Sequence, residues 1–181
     1  MHEKRFNSQI DRLRDPGRVA RLEVERAVNL AMENLNEVKS VLDIGTGSGL
    51  FAEQFAARGL QVTGLDANPE MLPAARMYVP AGIFHEGIAE KLPFPDGSFD
   101  LVFMGLLLHE TDDTLVALKE AYRATQKRLA ILEWPYEEQD FGPPIEHRLS
   151  PDKIVLFAKQ AGFAAVHQNR LESLILYLLD R

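Results

Sequence analysis

Short apolar segments alternate with longer segments of mixed polarity along most of this sequence. In the mixed segments, apolar residues recur three and four positions apart, which is typical of amphipathic helices. Apolar segments of strand length follow one another at residues 40–44, 61–65, 82–85, 100–104 and 128–133. Because such strands alternate with helices, the pattern predicts an α/β fold in which a parallel sheet is wrapped by helices.

The pattern changes after the fifth strand. A helix is predicted at about residues 150–162, and two strands, 164–170 and 173–179, are predicted after it with almost no connection between them. Such a short connection predicts an antiparallel hairpin, because a parallel crossover needs about a dozen residues or more. The second segment is apolar throughout, as expected of a strand covered on both faces, whereas the first is polar enough for an edge strand.

One amphipathic helix is predicted ahead of the first strand. Apolar positions repeat at helical spacing from Val19 to Met32, after an entry at Asp15-Pro16-Gly17. Residues 1–22 also carry an excess of basic side chains, which we interpret as a solvated helix face. These basic residues are Lys4, Arg5, Arg12, Arg14, Arg18 and Arg21.

Composition and charge predict a single domain and disfavour several classes of function. The chain has 181 residues, 46% of them hydrophobic, and no apolar run approaches the roughly 20 residues that cross a bilayer. Its first residues lack the apolar segment of a signal peptide, so we expect a cytoplasmic protein. The net charge of -7 disfavours a nucleic-acid partner, because phosphates repel an acidic surface. The absence of cysteine excludes disulfides, thiolate metal sites and cysteine nucleophiles.

The first strand runs directly into a glycine-rich turn. Asp43 lies near the end of the strand, glycines alternate along residues 45–49, and residues 50–58 predict a helix. A strand-to-helix turn exposes unpaired backbone N–H groups, and glycine lets the backbone approach a ligand closely. The pattern therefore indicates a nucleotide-like cofactor. A dinucleotide fingerprint would need its third glycine at Leu50, which disfavours that class.

An acidic residue two positions before G-x-G-x-G resembles the first motif of class I S-adenosylmethionine (SAM) dependent methyltransferases. The motif here is Asp43 followed by Gly45-Thr-Gly-Ser-Gly49. Residues 86–100 are similar to the family's G-D-A-E-x-L-P-F-P-D-x-S-F-D segment, and residues 100–110 end in its L-H-E sequence. The branch resembled is that of ubiquinone and menaquinone biosynthesis. The resemblance implies a Rossmann-like, doubly wound sheet of seven strands, mostly parallel, with the last strand antiparallel beside the fifth and helices on both faces.

Asp66 ends the second strand, 17 residues after Gly49. A carboxylate there can accept hydrogen bonds from two ribose hydroxyls, and NAD enzymes place an acid similarly, so Asp66 indicates a ribose rather than SAM in particular. Asn68 and Pro69 are expected to begin the next helix, with Asn68 as its N-cap.

One position of the cofactor segments departs from the family. Where the family has an aspartate that bonds the adenine amino group, this chain has Ile88, which leaves apolar contact and the Ala89 N–H to hold the base. Met71 fits an adenine contact and a core position equally well. The cofactor contacts that the resemblance implies are Asp43, Gly45, Thr46, Gly47, Gly49, Asp66, Ala67, Met71, Ile88, Ala89 and Gly105.

The acceptor side of the site is less clearly marked. The resemblance implies that the loop at His109 lines it, with His109 either a general base or a residue that orients the loop. The long aromatic loop after the fifth strand lies where ligands bind in open α/β sheets. Its candidates for acceptor contact are Trp134, Tyr136, Phe141, His147 and Arg148. No metal is expected, since His109, Glu133 and His147 lack the tight spacing of metal ligands.

The resemblance implies a single domain, with a helical lid over residues 1–36 and a Rossmann-like core over 37–181. We expect it to transfer a methyl group from SAM to a small-molecule acceptor, releasing S-adenosylhomocysteine. The alternatives are a SAM-binding regulatory or partner subunit without turnover and, less favoured, an NAD-dependent oxidoreductase. Neither a nucleic-acid partner nor a membrane span is expected, and a homodimer stays open. The sequence does not specify the acceptor or the atom methylated.

Overall fold

The computed structural model describes residues 10–181 as an α/β domain built on one sheet. The sheet has seven strands in the order β3-β2-β1-β4-β5-β7-β6. The predicted doubly wound arrangement is confirmed, because the chain starts at the centre and turns outward in both directions. The strands are β1 (Ser40–Ile44), β2 (Gln61–Asp66), β3 (Ile83–Glu86), β4 (Phe99–Gly105), β5 (Thr125–Glu133), β6 (Ala165–Arg170) and β7 (Ile175–Asp180).

The last two strands form the antiparallel part of the sheet, as predicted. Strand β7 pairs antiparallel with β5 on one side, with Leu129 opposite Leu179, and with β6 on the other. Leu176 and Tyr177 of β7 are fully buried, whereas β6 is largely exposed. The apolar strand therefore lies inside the sheet, and the polar strand covers its edge.

Helices cover both faces of the sheet. Those on one face, α3, α4 and α5, pack around Phe103 of β4, whereas α6 and α7 pack around Ile131 of β5 on the other face. No helix within residues 10–181 is both long and apolar enough to cross a membrane. The helices are α1 (Ile10–Leu13), α2 (Pro16–Arg21), α3 (Val24–Met32), α4 (Leu50–Ala57), α5 (Leu72–Tyr78), α6 (Thr114–Ala124) and α7 (Pro151–Ala161), with two short 3-10 helices at Leu108–Glu110 and Ile145–His147.

The helix predicted from Val19 to Met32 is two helices, so that prediction is wrong. Helix α2 begins earlier, with the Asp15 side chain accepting a hydrogen bond from its first turn, and the chain then turns at Glu23, whose φ is 46°. This turn lets both Leu22 and α3 bury apolar side chains. Helical periodicity cannot report such a break, because a single left-handed residue leaves the apolar spacing nearly unchanged.

The predicted start of the helix after β2 is also wrong. Helix α5 begins at Leu72, and Asn68 belongs to a separate turn in which its side chain accepts a hydrogen bond from the Glu70 N–H at 3.0 Å. The Asn68 N–H donates to Asp66 at 2.8 Å. The turn therefore holds the Asp66 carboxylate at the end of β2 and does not cap a helix.

Candidate functional site

A cleft of about 2070 Å³ opens at the carboxyl ends of β1, β2 and β4. Its floor includes Gly45 and Gly47, and Asp66 and Ile88 form one side. Helices α1 and α2 and the loop that begins at Trp134 contribute the other walls. Ligands of open α/β sheets bind at this edge, so the cleft is the candidate site.

The glycine turn presents its backbone to this cleft. Gly45, Gly47 and Gly49 have φ of 72°, 52° and 76°, which is the left-handed region that glycine adopts without strain. Among residues 10–181, a Cβ added at Gly47 would approach only Leu13 of α1, at 3.7 Å. This part of the chain therefore leaves space above Gly47, as a ligand seated against the backbone requires. Gly49 starts α4 and does not line the cleft.

Asp43 lies beneath the turn rather than in the cleft wall. It is 1% exposed, and its carboxylate accepts hydrogen bonds from the Thr46 hydroxyl at 2.8 Å and from the Ala52 N–H of α4. Burial, with a further contribution from the charge of Asp66, raises the pKa of Asp43 to about 7, although both hydrogen bonds act in the opposite direction. Asp43 and Thr46 thus hold the turn to α4 from below.

Asp66 is fixed where the turn meets the cleft. One carboxylate oxygen accepts a hydrogen bond from the Gly47 N–H at 2.7 Å, and the other accepts one from the Asn68 N–H at 2.8 Å. Each oxygen can accept more than one hydrogen bond, since a carboxylate has about four lone-pair positions. The two N–H groups orient the carboxylate as a bidentate acceptor, which suits a pair of hydroxyls.

The remaining cofactor candidates surround the cleft beside Asp66. Ala67, Met71, Ile88 and Ala89 all line it. Met71 is nearly buried, so it is both a core residue and part of the wall, and Ile88 is 40% exposed. The wall at the expected adenine position is therefore apolar.

Gly105 lines the cleft, and its lack of a side chain has a cause within the protein. A Cβ there would lie 2.8 Å from the Phe51 ring and 2.9 Å from the Phe103 ring. These two rings pack against each other with centroids 4.9 Å apart. Glycine is thus required by aromatic packing under β4, whether or not a ligand approaches its backbone.

His109 and Glu133 form a buried pair at the end of the cleft near β5. Nδ1 of His109 lies 2.9 Å from Oε2 and 3.0 Å from Oε1 of Glu133, and the His109 backbone N–H donates to Oε1 at 3.2 Å. Glu133 also accepts a hydrogen bond from the Trp134 N–H at 3.1 Å. Since Nδ1 faces the buried carboxylate, Nε2 is the ring nitrogen that can reach a ligand. Sequence reasoning missed Glu133 as the partner of His109.

The environment of His109 favours its protonated form. Burial lowers the pKa of the imidazole, but the charge and hydrogen bond of Glu133 outweigh it, with a smaller contribution from Glu110, so the pKa of His109 is raised. Nε2 lies 3.8 Å from Glu110 Oε1. An imidazole held in this way can donate a proton from Nε2 when it is charged and accept one when it is neutral.

The loop after β5 brings only some of its predicted contacts to the cleft. Trp134 and Phe141 line it, with ring centroids 5.9 Å apart. Tyr136 is 52% exposed, and neither it nor His147 lines the cleft.

Arg148 holds the same loop together from within. It is buried, and it donates hydrogen bonds to the carbonyl oxygens of Pro135, Glu137, Phe141 and Pro143 at 2.8–3.1 Å. Because its guanidinium is used in these contacts, Arg148 shapes the acceptor wall and does not line it.

Arg12 and Arg21 of the basic N-terminal segment are exposed, as expected of a solvated helix face, but this face borders the cleft. Arg12, Arg18 and Arg21 line the cleft. Arg14 joins α1 to the start of α4, bonding to the Ser48 carbonyl at 2.9 Å and to Glu53 at 2.7 Å. The basic charge of these residues is visible in the sequence, and the folded positions of α1 and α2 bring Arg12, Arg18 and Arg21 to the cleft. The predicted lid residues 1–9 lie outside the described part of the chain.

The sheet order, the antiparallel β7 and the glycine turn beside Asp66 define a class I SAM-dependent methyltransferase fold. A family model described as a methyltransferase domain matches residues 42–129, from β1 into β5. The matched segment covers nearly half of the chain and includes the glycine turn and Asp66.

Known proteins similar to this chain are named as methyltransferases. A demethylmenaquinone methyltransferase of Chlorobaculum parvum is 44% identical over 84 residues, covering 46% of this chain and 35% of that protein. A malonyl-[acyl-carrier protein] O-methyltransferase of Erwinia billingiae is 41% identical over 87 residues, covering 48% and 35%. This chain thus spans about a third of the length of each. The crystal structure of a SAM dependent methyltransferase from Aquifex aeolicus superposes with a TM-score of 0.80 and 27% identity, covering 97% of this chain and 99% of that one.

Proposed function

We propose that this protein transfers a methyl group from SAM to a small-molecule acceptor. The observation that carries the proposal is Asp66, whose carboxylate is oriented by the Gly47 and Asn68 N–H groups at the wall of the cleft. The two hydroxyls of a ribose can donate hydrogen bonds to this carboxylate. The space that residues 10–181 leave above Gly47 can hold the part of the ligand that continues from the ribose.

The chain's own contribution to such a reaction is binding, alignment and exclusion of water. SAM, when bound, would supply a methyl group bonded to a sulfonium sulfur. The leaving group would be the neutral thioether of S-adenosylhomocysteine. Ala67, Met71 and Ile88 form the apolar surface for its base, and Asp43 and Thr46 keep the turn in shape. Alignment of donor and acceptor can supply roughly 7 to 11 kcal/mol of the barrier.

We assign His109 to the acceptor side of this site. Glu133 holds its Nδ1, which leaves Nε2 available to the acceptor. In the neutral form Nε2 can take a proton from an acidic acceptor, and in the charged form it can donate a hydrogen bond to an acceptor oxygen. Trp134 and Phe141 provide apolar contact for the rest of the acceptor.

The relatives offer two kinds of acceptor for this proposal. They are named for methylation of demethylmenaquinone and of the malonyl-acyl-carrier protein. Both have an apolar or acyl component, which the aromatic wall of this cleft suits. A quinone-like or acyl-linked acceptor is therefore the starting point for an activity screen.

Isothermal titration calorimetry with S-adenosylhomocysteine tests the cofactor. We expect binding by the intact protein and a loss of about tenfold or more in affinity for Asp66→Ala, because two charge-assisted hydrogen bonds are removed. Asp152→Ala is the matched control, since Asp152 is an exposed carboxylate on α7 away from the cleft. No binding by the intact protein, or unchanged binding by Asp66→Ala, would contradict the proposal. A thermal shift with NADH but not with SAM would favour an oxidoreductase instead.

A further inference from the structure

Three arginines of the helices that border the cleft lie close together. Arg12 belongs to α1, Arg18 and Arg21 belong to α2, and all three line the cleft. Burial lowers the pKa of Arg18, and the charges of Arg12 and Arg21 lower it further, which places Arg12 and Arg21 within electrostatic reach of Arg18. Like charges gathered at a cleft are unfavourable for the free protein and favourable for an anionic ligand.

Arg21 lies on the aromatic wall of the acceptor side. Its guanidinium carbon is 4.6 Å from the centroid of the Phe141 ring, and that ring packs against Trp134. A guanidinium held over an aromatic face keeps N–H donors available for a carboxylate. Within residues 10–181, neither Arg12 nor Arg21 forms an ion pair with an acidic side chain.

Carboxylates line the cleft as well, so its overall charge is not positive. Asp15 caps α2 by accepting a hydrogen bond from the Arg18 N–H at 2.9 Å. An anion must therefore be held by direct contact with the guanidinium groups rather than by the field of the cleft. The acidic residues of the wall are Asp11, Asp15, Asp66, Glu70, Glu90, Glu110 and Asp140.

We propose that the methyl acceptor carries a carboxylate on an apolar body. Arg21, with Arg12 and Arg18 beside it, binds the carboxylate, and Phe141 and Trp134 contact the apolar body. The inference rests on the proposed function, because it concerns the acceptor side of the same cleft. The proposed class of methyl acceptor is then a monoanionic amphiphile rather than any small molecule.

The chain provides its own reporter for this site. Trp134 is the only tryptophan in the sequence, and it lines the cleft. Its fluorescence can be followed while protein saturated with S-adenosylhomocysteine is titrated with octanoate, octanamide or octyl phosphate. Octanoate and octanamide share the same alkyl body and differ in charge. We expect octanoate to bind about tenfold or more tightly than octanamide, because only octanoate forms charge-assisted hydrogen bonds with arginine.

Variants separate a charge contact from a general change in the cleft. In Arg21→Gln, octanoate should lose most of this advantage, whereas octanamide should bind as in the unsubstituted protein. Retained octanamide binding shows that α2 and the aromatic wall are still in place. Arg21→Lys should keep part of the advantage, because it retains the charge and loses the bidentate geometry. Arg26→Gln is the matched control, since Arg26 is exposed on α3 and pairs with Glu23 outside the cleft.

Each outcome decides the inference. Equal binding of octanoate and octanamide, or an advantage that survives in Arg21→Gln, would overturn it, and tighter binding of octyl phosphate than of octanoate would overturn the choice of a carboxylate. Binding of S-adenosylhomocysteine is measured first, by calorimetry. If the cofactor product fails to bind, the proposed function is wrong. If it binds and no charge preference follows, only the anionic acceptor is wrong.

Discussion

Asp43 illustrates how a single buried carboxyl can support a binding turn without touching the ligand. Its oxygens bind the Thr46 hydroxyl and the Ala52 N–H, so the strand, the turn and α4 are joined at one side chain. The family motif identifies this position as acidic, but the motif alone does not distinguish a ligand contact from a support beneath the turn.

Asp43 should make the protein less stable as the pH rises from about 4 to about 7. Its pKa is raised to about 7 in the folded state, so the folded protein binds a proton that the unfolded chain has released. The free energy of unfolding should fall across this window by as much as about 4 kcal/mol and then level off. Urea unfolding at several pH values measures this slope.

Asp43→Asn is the variant for that measurement. Asn cannot ionise, so this variant should lose its share of the slope between pH 4 and pH 7, whatever its absolute stability. The slope of the free energy of unfolding against pH is compared, not its absolute value, because the substitution also disturbs a hydrogen bond. A slope equal to that of the unsubstituted protein would contradict the prediction.

Glu133→Gln should lower the pKa of His109. Burial is the largest single effect on the pKa of His109 and lowers it, and the charge and hydrogen bond of Glu133 are the largest effects that raise it, so neutralising Glu133 should leave burial dominant. With Glu133 in place, protonated His109 stabilises the fold below the unfolded pKa of about 6.5, and this contribution is lost as the pH rises through the folded pKa. In Glu133→Gln, protonation of His109 should instead destabilise the fold, because burial holds the folded pKa below the unfolded one. NMR titration of the His109 ring protons measures the change, with the other histidines as internal references.

Glu110→Gln is the control for this titration. Glu110 lies 3.8 Å from Nε2 and contributes less than Glu133 to the raised pKa, so its neutralisation should lower the pKa of His109 by a smaller amount. An unchanged pKa of His109 in Glu133→Gln would show that the buried pair does not set the proton affinity.

At the scale of elements, the loop between β5 and the 3-10 helix at Ile145–His147 forms the acceptor wall and owes its shape to Arg148. One guanidinium binds four carbonyl groups of that loop, so the loop needs no strand or helix of its own to stay folded. Trp134 and Phe141 are thereby presented to the cleft from a supported surface.

Arg148→Lys should destabilise the protein by roughly 2–4 kcal/mol, because lysine keeps the charge but leaves several loop carbonyls unpaired. Amide hydrogen exchange of residues 135–143 should increase, and Trp134 fluorescence should shift toward that of an exposed indole. Arg170→Lys is the matched control, since Arg170 is half-exposed and forms a surface ion pair with Glu137, so its change should stay below about 1 kcal/mol. Equal effects of the two substitutions would contradict the role of Arg148 in holding the loop.

Elements with regular periodicity were predictable, and irregular ones were not. The strands and the glycine turn follow from apolar runs and from backbone rules that operate within a few residues. The start of α5 at Leu72 and the break at Glu23 depend on side-chain hydrogen bonds and on burial that no local pattern encodes. The role of Arg148 was missed for the same reason, because its partners are carbonyl groups whose positions depend on the folded loop.

At the scale of the molecule, the sheet divides the core into two apolar layers. Phe51 and Phe103 belong to one layer, and Ile131 belongs to the other. The doubly wound topology, implied by the resemblance, explains why both faces are covered. The cleft, by contrast, brings α1 and α2 together with a loop more than a hundred residues away, and no local pattern specifies which side chains of these elements line it.

Substitutions in opposite layers should act independently. Val62→Ala on β2 should cost about 1 to 3 kcal/mol and Ile131→Val on β5 about 0.5 to 1.5 kcal/mol, and their double variant should be additive to within about 0.5 kcal/mol. Phe51→Leu with Phe103→Leu is the contrasting pair, because these rings are in contact and should show a coupling of about 0.5 kcal/mol or more. Chemical denaturation of the six variants and the unsubstituted protein gives both results. Strong coupling between the opposite layers would contradict the two-layer description.

The antiparallel insertion of β7 has a consequence for biosynthesis. As the chain leaves the ribosome, β1 to β5 can pair before residues 175–180 have been made, and the outer edge of β5 then lies bare between Arg128 and Glu133. That edge belongs to an apolar strand, so until β7 covers it a second nascent chain can pair with it. Translation stopped before residue 175 should therefore release an aggregation-prone intermediate. Pairing of β7 with β5 protects this edge once the hairpin of β6 and β7 has been made.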